Sequence, residues 1–455
     1  MIGGGQAGAW IARTLRTEGF DGRVVLIGEE AHWPYERPPL SKAFLQGAVD
    51  AESMTLLGAA QAEAARIECW RGTRVVAIDR AERRTRCMDG REIGYDKMFL
   101  ATGGRVRTLP GLEGSRSDRI YTLRTQSDAL RLRAALTAGS SLLVLGGGWI
   151  GLEVAATARG MGCAVTVLEA APRLCERTMP ETVSDFLLRL HQSQGVTVRT
   201  GIGVTGLSEK ENGVVATVDT GELLRADHAL IGIGIVPDTT LAVACGLPVA
   251  NGIVVDAQGR TADPNIFAAG DVACRHSDFA GAALRLESWA NAQNQAIVAA
   301  KGALGRADRY DEIPWFWSDQ YTINLQMLGL PDRGSEIVMR GAPEAGNGCW
   351  LMLREDGTAA GAVAVNAPRE LRTLRKLLAD GRLPVLSAWA DTAVPLQRLP
   401  TAPVVCGAFP KWRCLHHETR EPVVASQVGG EQVARSIYGT RPSSGASLAG
   451  RPSGG

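Results

Sequence analysis

Short apolar runs alternate with longer stretches of helical periodicity over most of the chain, and that alternation predicts parallel α/β sheets. Val24 to Ile27, Met98 to Ala101, Leu142 to Leu145, Val165 to Leu168 and Ala229 to Ile233 are apolar almost throughout, as strands covered on both faces must be. From Pro314 the texture changes. Trp315, Phe316 and Trp317 lead into shorter alternating strands and a helix near Leu371 to Leu378, which predicts a separate C-terminal α+β domain. From about Thr401 all periodicity is lost and the chain runs out to SSGASLAGRPSGG. Such a composition buries too little apolar surface to offset its ordering entropy, so residues 401–455 are expected to form a disordered tail. At the other end only Met1 and Ile2 precede a glycine cluster, so the first strand is either very short or lacks its beginning.

That cluster, I-G-G-G-Q-A-G, fits G-x-G-x-x-G with Gly3, Gly5 and Gly8. The first glycine permits a tight strand-to-helix turn, the second lets a pyrophosphate approach the backbone, and the third lets helix and strand pack closely. The amides of the following helix then point at the anion. Glu29, after the strand VVLIG, is placed to accept hydrogen bonds from a ribose. The device recurs at LLVLGGGWIG with Gly146, Gly148 and Gly151, and the strand AVTVL delivers Glu169. One such motif is weak evidence; two with strand, helix and carboxylate in register predict two dinucleotide sites. A carboxylate at 169 favours the free 2′-hydroxyl of NADH over a 2′-phosphate, with Arg173 the nearest countervailing cation.

A third signal, N-I-F-A-A-G-D from Asn265 to Asp271, follows both fingerprints. Asp271 is expected at a helix start, either as a plain N-cap or as a ligand to the polyol of FAD. The order of the motifs implies that the second nucleotide domain is inserted into the first. The expected fold class is α/β, with two Rossmann-like dinucleotide-binding domains, the NAD domain inserted into the FAD domain, plus the C-terminal domain. The expected boundaries are 1–110 with 236–312 for FAD, 111–235 for NAD, 313–400 for the α+β domain, and the tail at 401–455.

Composition narrows the function classes. With 49 basic and 48 acidic side chains in 455 residues, the chain lacks the basic excess of a nucleic-acid binder. No apolar run approaches the ~18 residues that suggest a membrane span, and no signal peptide precedes the first motif, so the cytoplasm is expected. The nine cysteines form no CxxC pair and no metal-ligand spacing.

ERPPLSK at Glu36 to Lys42, ATGGR at Ala101 to Arg105, ESWANAQNQA at Glu287 to Ala296 and WFWSDQY at Trp315 to Tyr321 carry a family resemblance. Over roughly residues 1 to 400 the chain resembles the FAD-dependent ferredoxin reductases of bacterial oxygenase systems, within the glutathione-reductase-like superfamily. The resemblance implies that Lys42 sits beside flavin N5 and pairs with Glu153, one turn into the second fingerprint helix. It implies FAD contacts from Ala7, Glu29, Arg37, Val75, Thr102, Gly103, Arg124 and Asp271, and places Trp289 against the flavin or, equally, in the core. Ile150 and Gly234 join the nucleotide-binding set on the same ground, and Asp238 departs slightly from the family's usual Asn.

A missing feature narrows the chemistry. Disulfide reductases of this superfamily carry a CxxxxC pair, but no cysteine occurs here before Cys69, and Ser41 stands where related enzymes carry a single thiol. Electrons must therefore leave the flavin directly, and an iron–sulfur protein is the natural recipient. The expected partners are NADH and a [2Fe-2S] ferredoxin, Rieske-type or plant-type. Within the family, the W-x-N-A-Q-N-Q form from Trp289 resembles reductases of aromatic-ring-hydroxylating dioxygenases. Reductases serving P450-linked ferredoxins or rubredoxin, an NADH oxidase and a redox-sensing flavoprotein remain alternatives. Arg369, Arg372, Arg375 and Lys376 share one helical face, either a docking patch for an acidic ferredoxin or an ordinary solvated surface.

Overall fold

The computed structural model describes residues 1–112 and 117–403. In its first sheet Val24–Ile27 pairs in parallel with Ile67–Trp70, and Met98–Leu100 pairs in parallel with Ile266–Ala268. Ile2 joins the two pairs, bridged in parallel to both Ile27 and Leu100. Its amide donates to the Phe99 carbonyl at 2.9 Å, and its carbonyl accepts from the Ala101 amide at 2.8 Å. A single bridged residue, Ile2, thus links the two strand pairs. Helices Gln6–Thr17 and Trp289–Ala303 pack together beside it, brought close by buried Ala9, Ala12, Ala296 and Ala299.

Gly104–Val106 and Ile235–Pro237 pair antiparallel where the chain leaves this body and returns to it. Between them lies a five-stranded parallel sheet in the order Thr197–Thr200, Ala164–Glu169, Ser141–Leu145, His228–Ile231 and Ile120–Tyr121. An antiparallel three-stranded sheet, Val204–Lys210, Gly213–Val218 and Leu223–Ala226, shares its core through Val214, Ala216 and Leu143.

The C-terminal sheet has five antiparallel strands, ordered Trp315–Gln320, Ile323–Gly329, Ala359–Val365, Asn347–Leu353 and Glu336–Ala342. Helix Pro368–Ala379 lays Leu371, Leu374 and Leu378 against it, a spacing of three and four that lines one helix face. It starts earlier than its apolar pattern suggests, because Pro368 suits the first turn of a helix. Helix Trp149–Gly160 packs on the edge strand Trp315–Gln320, with Trp149 edge-on to Phe316 at 5.4 Å.

Two expectations are corrected. Thr401–Pro403 belongs to a strand, paired with Arg382–Pro384, because its backbone groups find partners in that short neighbour; residues 404–455 of the expected tail lie outside the described residues. Asp271 does not start a helix: the chain continues into strand Ala273–Ser277, and the next helix begins only at Trp289. Among the described residues no helix is long and apolar enough to cross a membrane, and no cluster of three metal-ligating side chains occurs.

Candidate active site

Both glycine turns are built alike. Gly3 and Gly146 have φ of +118° and +107°, which L side chains rarely adopt, and a Cβ on either would strike a backbone carbonyl at 2.1 or 2.6 Å. A Cβ on Gly8 would meet the Gly3 carbonyl oxygen at 2.0 Å, and one on Gly151 the Gly146 oxygen at 2.0 Å. The middle glycines differ: a Cβ on Gly5 or Gly148 would meet nothing within 4 Å. Each turn therefore leaves a side-chain-free hollow at a helix N-terminus, the space a pyrophosphate needs.

A cavity of about 850 Å³ opens over the first turn. Gly3, Gly5, Ala7, Glu29, Arg37, Val75, Thr102, Gly103, Arg124, Ile150, Glu153, Asp271 and Trp289 all line it. A cavity of that volume around a side-chain-free glycine turn, lined by carboxylates and guanidinium groups alike, suits a dinucleotide, so the residues present fit FAD. Two ion pairs stiffen the middle. Arg124 meets Asp271 at 2.9 Å, and Arg37 bridges the Glu30 carboxylate and the Arg124 carbonyl. Burial works against the Glu30 carboxylate, yet Arg37 and a hydrogen bond from the Tyr35 hydroxyl hold its pKa below the usual carboxylate value. Thr102 donates to the Asp238 carbonyl at 2.7 Å, tying this wall to the returning strand. Gly8 supports the turn from within, buried in its helix.

At the inner end, Glu153 and Lys42 form a buried ion pair at 2.5 Å. Glu153 lines the cavity; Lys42 is not among the lining residues and meets the cavity through it. Ser41 donates to the same carboxylate at 2.5 Å and Ser318 to its other oxygen at 2.7 Å. Burial pushes the Glu153 pKa up, and Lys42, Ser41 and Ser318 all pull against that. Trp289 donates to Glu36 at 2.8 Å and meets Trp317 edge-on at 6.0 Å, so its indole faces the cavity and packs on the C-terminal sheet at once.

Gly146, Gly148, Gly151, Glu169 and Gly234 lie outside this lining and form a second locus at the end of the inserted sheet. The Glu169 carboxylate accepts from the amides of Gly147 at 2.6 Å and Ala171 at 2.7 Å. Gly234 has φ +96° and its carbonyl receives the Arg107 amide at 2.9 Å. Arg173 turns into its own loop, donating to the Met179 carbonyl and to Ser184 at 3.0 Å. The helix Trp149–Gly160 joins the loci, since its first turn starts at the second hollow while Ile150 and Glu153 reach the first cavity.

Several residues of this site were not singled out from the sequence. Glu36 and Glu287 lie inside quoted motifs, and only contact geometry sets them apart. Glu287 pairs with buried Arg285 at 2.6 Å, and its pKa is pushed up to about 7, mainly by burial. Ser318 and Gln320 also lie inside a quoted motif, WFWSDQY, and His191 lies in none; for all three only contact geometry reveals a role.

The chain belongs to a known family of redox enzymes. The model of the pyridine nucleotide-disulphide oxidoreductases matches residues 1–296, and that of the reductase C-terminal domain matches residues 315–400. It is 43% identical, over 87% of its length and 98% of the relative's, to the anthranilate 1,2-dioxygenase system ferredoxin–NAD(+) reductase component of Burkholderia cepacia. It is 40% identical, over 88% and 96%, to putidaredoxin reductase of Pseudomonas putida. The crystal structure of a covalent putidaredoxin reductase–putidaredoxin complex superposes with a TM-score of 0.84, at 38% identity, over 87% of this chain and 96% of that one.

Proposed function

We propose that this protein is an NADH-dependent ferredoxin reductase: it binds FAD in the first cavity, NADH at the second glycine turn, and delivers electrons to a [2Fe-2S] ferredoxin of an aromatic-ring-hydroxylating dioxygenase system. The division of labour is residues 1–110 with 236–312 for FAD, 111–235 for NADH, and 313–400 for the C-terminal domain. The flavin supplies the conversion of a two-electron donor's pair into single electrons. The chain's own groups do the rest. Gly5 and Gly148 admit the two pyrophosphates, and Glu169 selects a nucleotide with a free ribose hydroxyl. The Lys42–Glu153 pair sets the charge at the inner end of the cavity. The cytoplasm is the compartment in this reading, supported by seven free cysteines among the described residues.

One observation carries the proposal. A buried, hydrogen-bonded Lys–Glu pair closes the nucleotide cavity at the place where Ser41, not a thiol, reaches the carboxylate. The residue that reaches the pair from this motif is a serine and not a relay thiol, which supports electron transfer to an external carrier over a disulfide relay. The test is direct: purified protein should carry a yellow flavin spectrum, lose it on anaerobic addition of NADH, and reduce cytochrome c only with a [2Fe-2S] ferredoxin present. Oxygen consumption that ferredoxin does not divert would show an oxidase instead. A second reading, a partner resembling putidaredoxin, is favoured by the TM-score of 0.84. Turnover with both kinds of ferredoxin side by side separates the two.

A further inference from the structure

The Glu153 carboxylate is the end point of a buried chain of hydrogen bonds that crosses three parts of the molecule. Ser318 donates to Glu153 Oε1 at 2.7 Å; Gln320 Nε2 donates to Ser318 Oγ at 3.1 Å. Gln320 Oε1 lies 2.8 Å from His191 Nε2, and His191 Nδ1 lies 3.0 Å from the Tyr321 hydroxyl. Ser318, Gln320 and His191 are each 1% exposed or less.

Donor and acceptor counting fixes the direction. A carboxylate only accepts, so the Ser318 hydroxyl must give it its single proton and accept from Gln320. The Gln320 amide nitrogen is then committed, and its oxygen must accept from His191 Nε2–H. A neutral imidazole with its proton on Nε2 has a bare Nδ1, which accepts from Tyr321. Every hydrogen therefore points toward Glu153. His191 is held in that neutral form by burial, which brings its pKa down to about 4 against a small opposing pull from Gln320. The geometry of strand Trp315–Gln320 allows this, because residues two apart share a face. Ser318 and Gln320 look toward the inserted body, while Trp315 and Trp317 stack at 4.9 Å. Tyr321 sits at φ +56°, a left-handed backbone that favours glycine, in the turn between Gln320 and Ile323.

We propose that Ser318, Gln320, His191 and Tyr321 are positioning residues for the flavin chemistry: their one-way chain holds Glu153 ionised and so fixes the charge of the Lys42–Glu153 pair from the C-terminal sheet. The proposal rests on the reading of the cavity as a flavin site. It gives the C-terminal domain a part in tuning the reaction centre in addition to any part in binding a partner. Chains of this kind polarise their members cooperatively, so a change at the far end is felt at the carboxylate, though less than a change next to it. The titratable groups facing the chain are few. Lys42 and Cys175 face Glu153, and Arg159 lies near Tyr321.

The experiment uses flavin-loaded protein. Ser318→Ala removes the donor nearest Glu153 and should raise its proton affinity about tenfold or more, the worth of one hydrogen bond to a charged group. Two readouts follow that a purely structural role would not move. A protonated-carboxyl carbonyl band should persist in the infrared spectrum to a higher pH than in the parent and vanish in a Ser318→Ala, Glu153→Gln background. The rate of flavin reduction by NADH should acquire a pH step absent from the parent. Tyr321→Phe, which keeps the ring and removes only the terminal hydroxyl, should shift the same step in the same direction by a few-fold less. Should Ser318→Ala fail to hold flavin, Tyr321→Phe decides alone. A parent protein reduced normally by NADH, with a variant matching its infrared spectrum and pH profile, overturns the chain. A parent that holds no flavin or is not reduced by NADH overturns the functional reading, and this inference with it.

Discussion

The two glycine turns are near copies in backbone, yet they stand in different surroundings. Both have a positive-φ first glycine, an open middle glycine and a third glycine that admits no Cβ. The first opens into a cavity of about 850 Å³ braced by the Arg37–Glu30 and Arg124–Asp271 pairs. The second lies outside that lining, and its Glu169 is held by two neighbouring amides. The carboxylates differ as well: Glu29 is 67% exposed in its side chain, with Arg74 3.7 Å away. The motif specifies a side-chain-free hollow at a helix N-terminus; the rest of the chain decides what walls surround it. A walled cavity suits a cofactor that stays, and a turn outside it suits a nucleotide that comes and goes at each turnover.

Filling each hollow in turn gives the largest expected effects. Gly5 and Gly148 have φ of −94° and −82° with extended ψ, a region any L residue adopts, so valine is tolerated by the backbone at both. Gly5→Val should give folded, colourless protein, because the new side chain occupies the space of the resident pyrophosphate. Gly148→Val should stay yellow while its KM for NADH rises about a hundredfold, or ~2.7 kcal/mol. Absorbance and stopped-flow reduction read both; the comparison breaks if the two variants lose flavin alike.

Removing the bridge between the sites comes next. Lys42→Ala leaves Glu153 buried without its cation, a change that costs about 3 to 5 kcal/mol in other proteins. The sign of its pH dependence follows from the folded pKa, which burial raises above the unfolded value. The folded state then holds its proton longer, so stability falls as pH rises from about 4.3 toward the folded pKa. The variant should show this fall more steeply than the parent in denaturant unfolding at several pH values, and its flavin should be reduced more slowly by NADH. An unchanged reduction rate would remove Lys42 from the chemistry.

The sequence carries the repeated parts of the site more plainly than the unique ones. Both cradles are legible because glycine at Gly3, Gly8, Gly146 and Gly151 answers a steric demand that no other residue meets. The five apolar strands are legible because each is covered on both faces. Asp271 was misplaced because a strand–Gly–Asp pattern reads the same whether a helix or another strand follows. The hydrogen-bonded chain was illegible: Ser318, Gln320 and His191 are polar residues whose partners are set only when the edge strand docks on the inserted body. Motif spacing holds no information about pairs separated by 129 or 165 residues.

A smaller effect tests how firmly the inserted body is joined to the C-terminal sheet. His191 is buried and neutral, with its pKa lowered from 6.5 to about 4. The unfolded chain binds the proton first, so this stability contribution is present at higher pH and is lost as pH falls below about 6.5. Between about pH 7 and pH 5 it should amount to about 2 kcal/mol, measurable as a shift in urea midpoint. His191→Gln should abolish that part of the acid sensitivity. An identical pH slope in both proteins would mean that His191 titrates freely.

The smallest effect lies outside both cradles. Arg369, Arg372 and Lys376 are exposed on helix Pro368–Ala379, whereas Arg375 is held by Glu312 at 3.2 Å and packs over Trp315. If the three exposed cations steer an acidic ferredoxin, their charge acts on encounter more than on the settled complex, and salt screens it. Arg372→Glu with Lys376→Glu should raise the KM for ferredoxin about threefold to tenfold at low salt, with the difference shrinking as salt is added. Flavin reduction by NADH involves neither residue, so its rate is the internal reference. A loss of both rates would place the defect in the fold, and retention of both would make this face ordinary surface, leaving the docking site to be sought nearer Trp289 and the mouth of the first cavity.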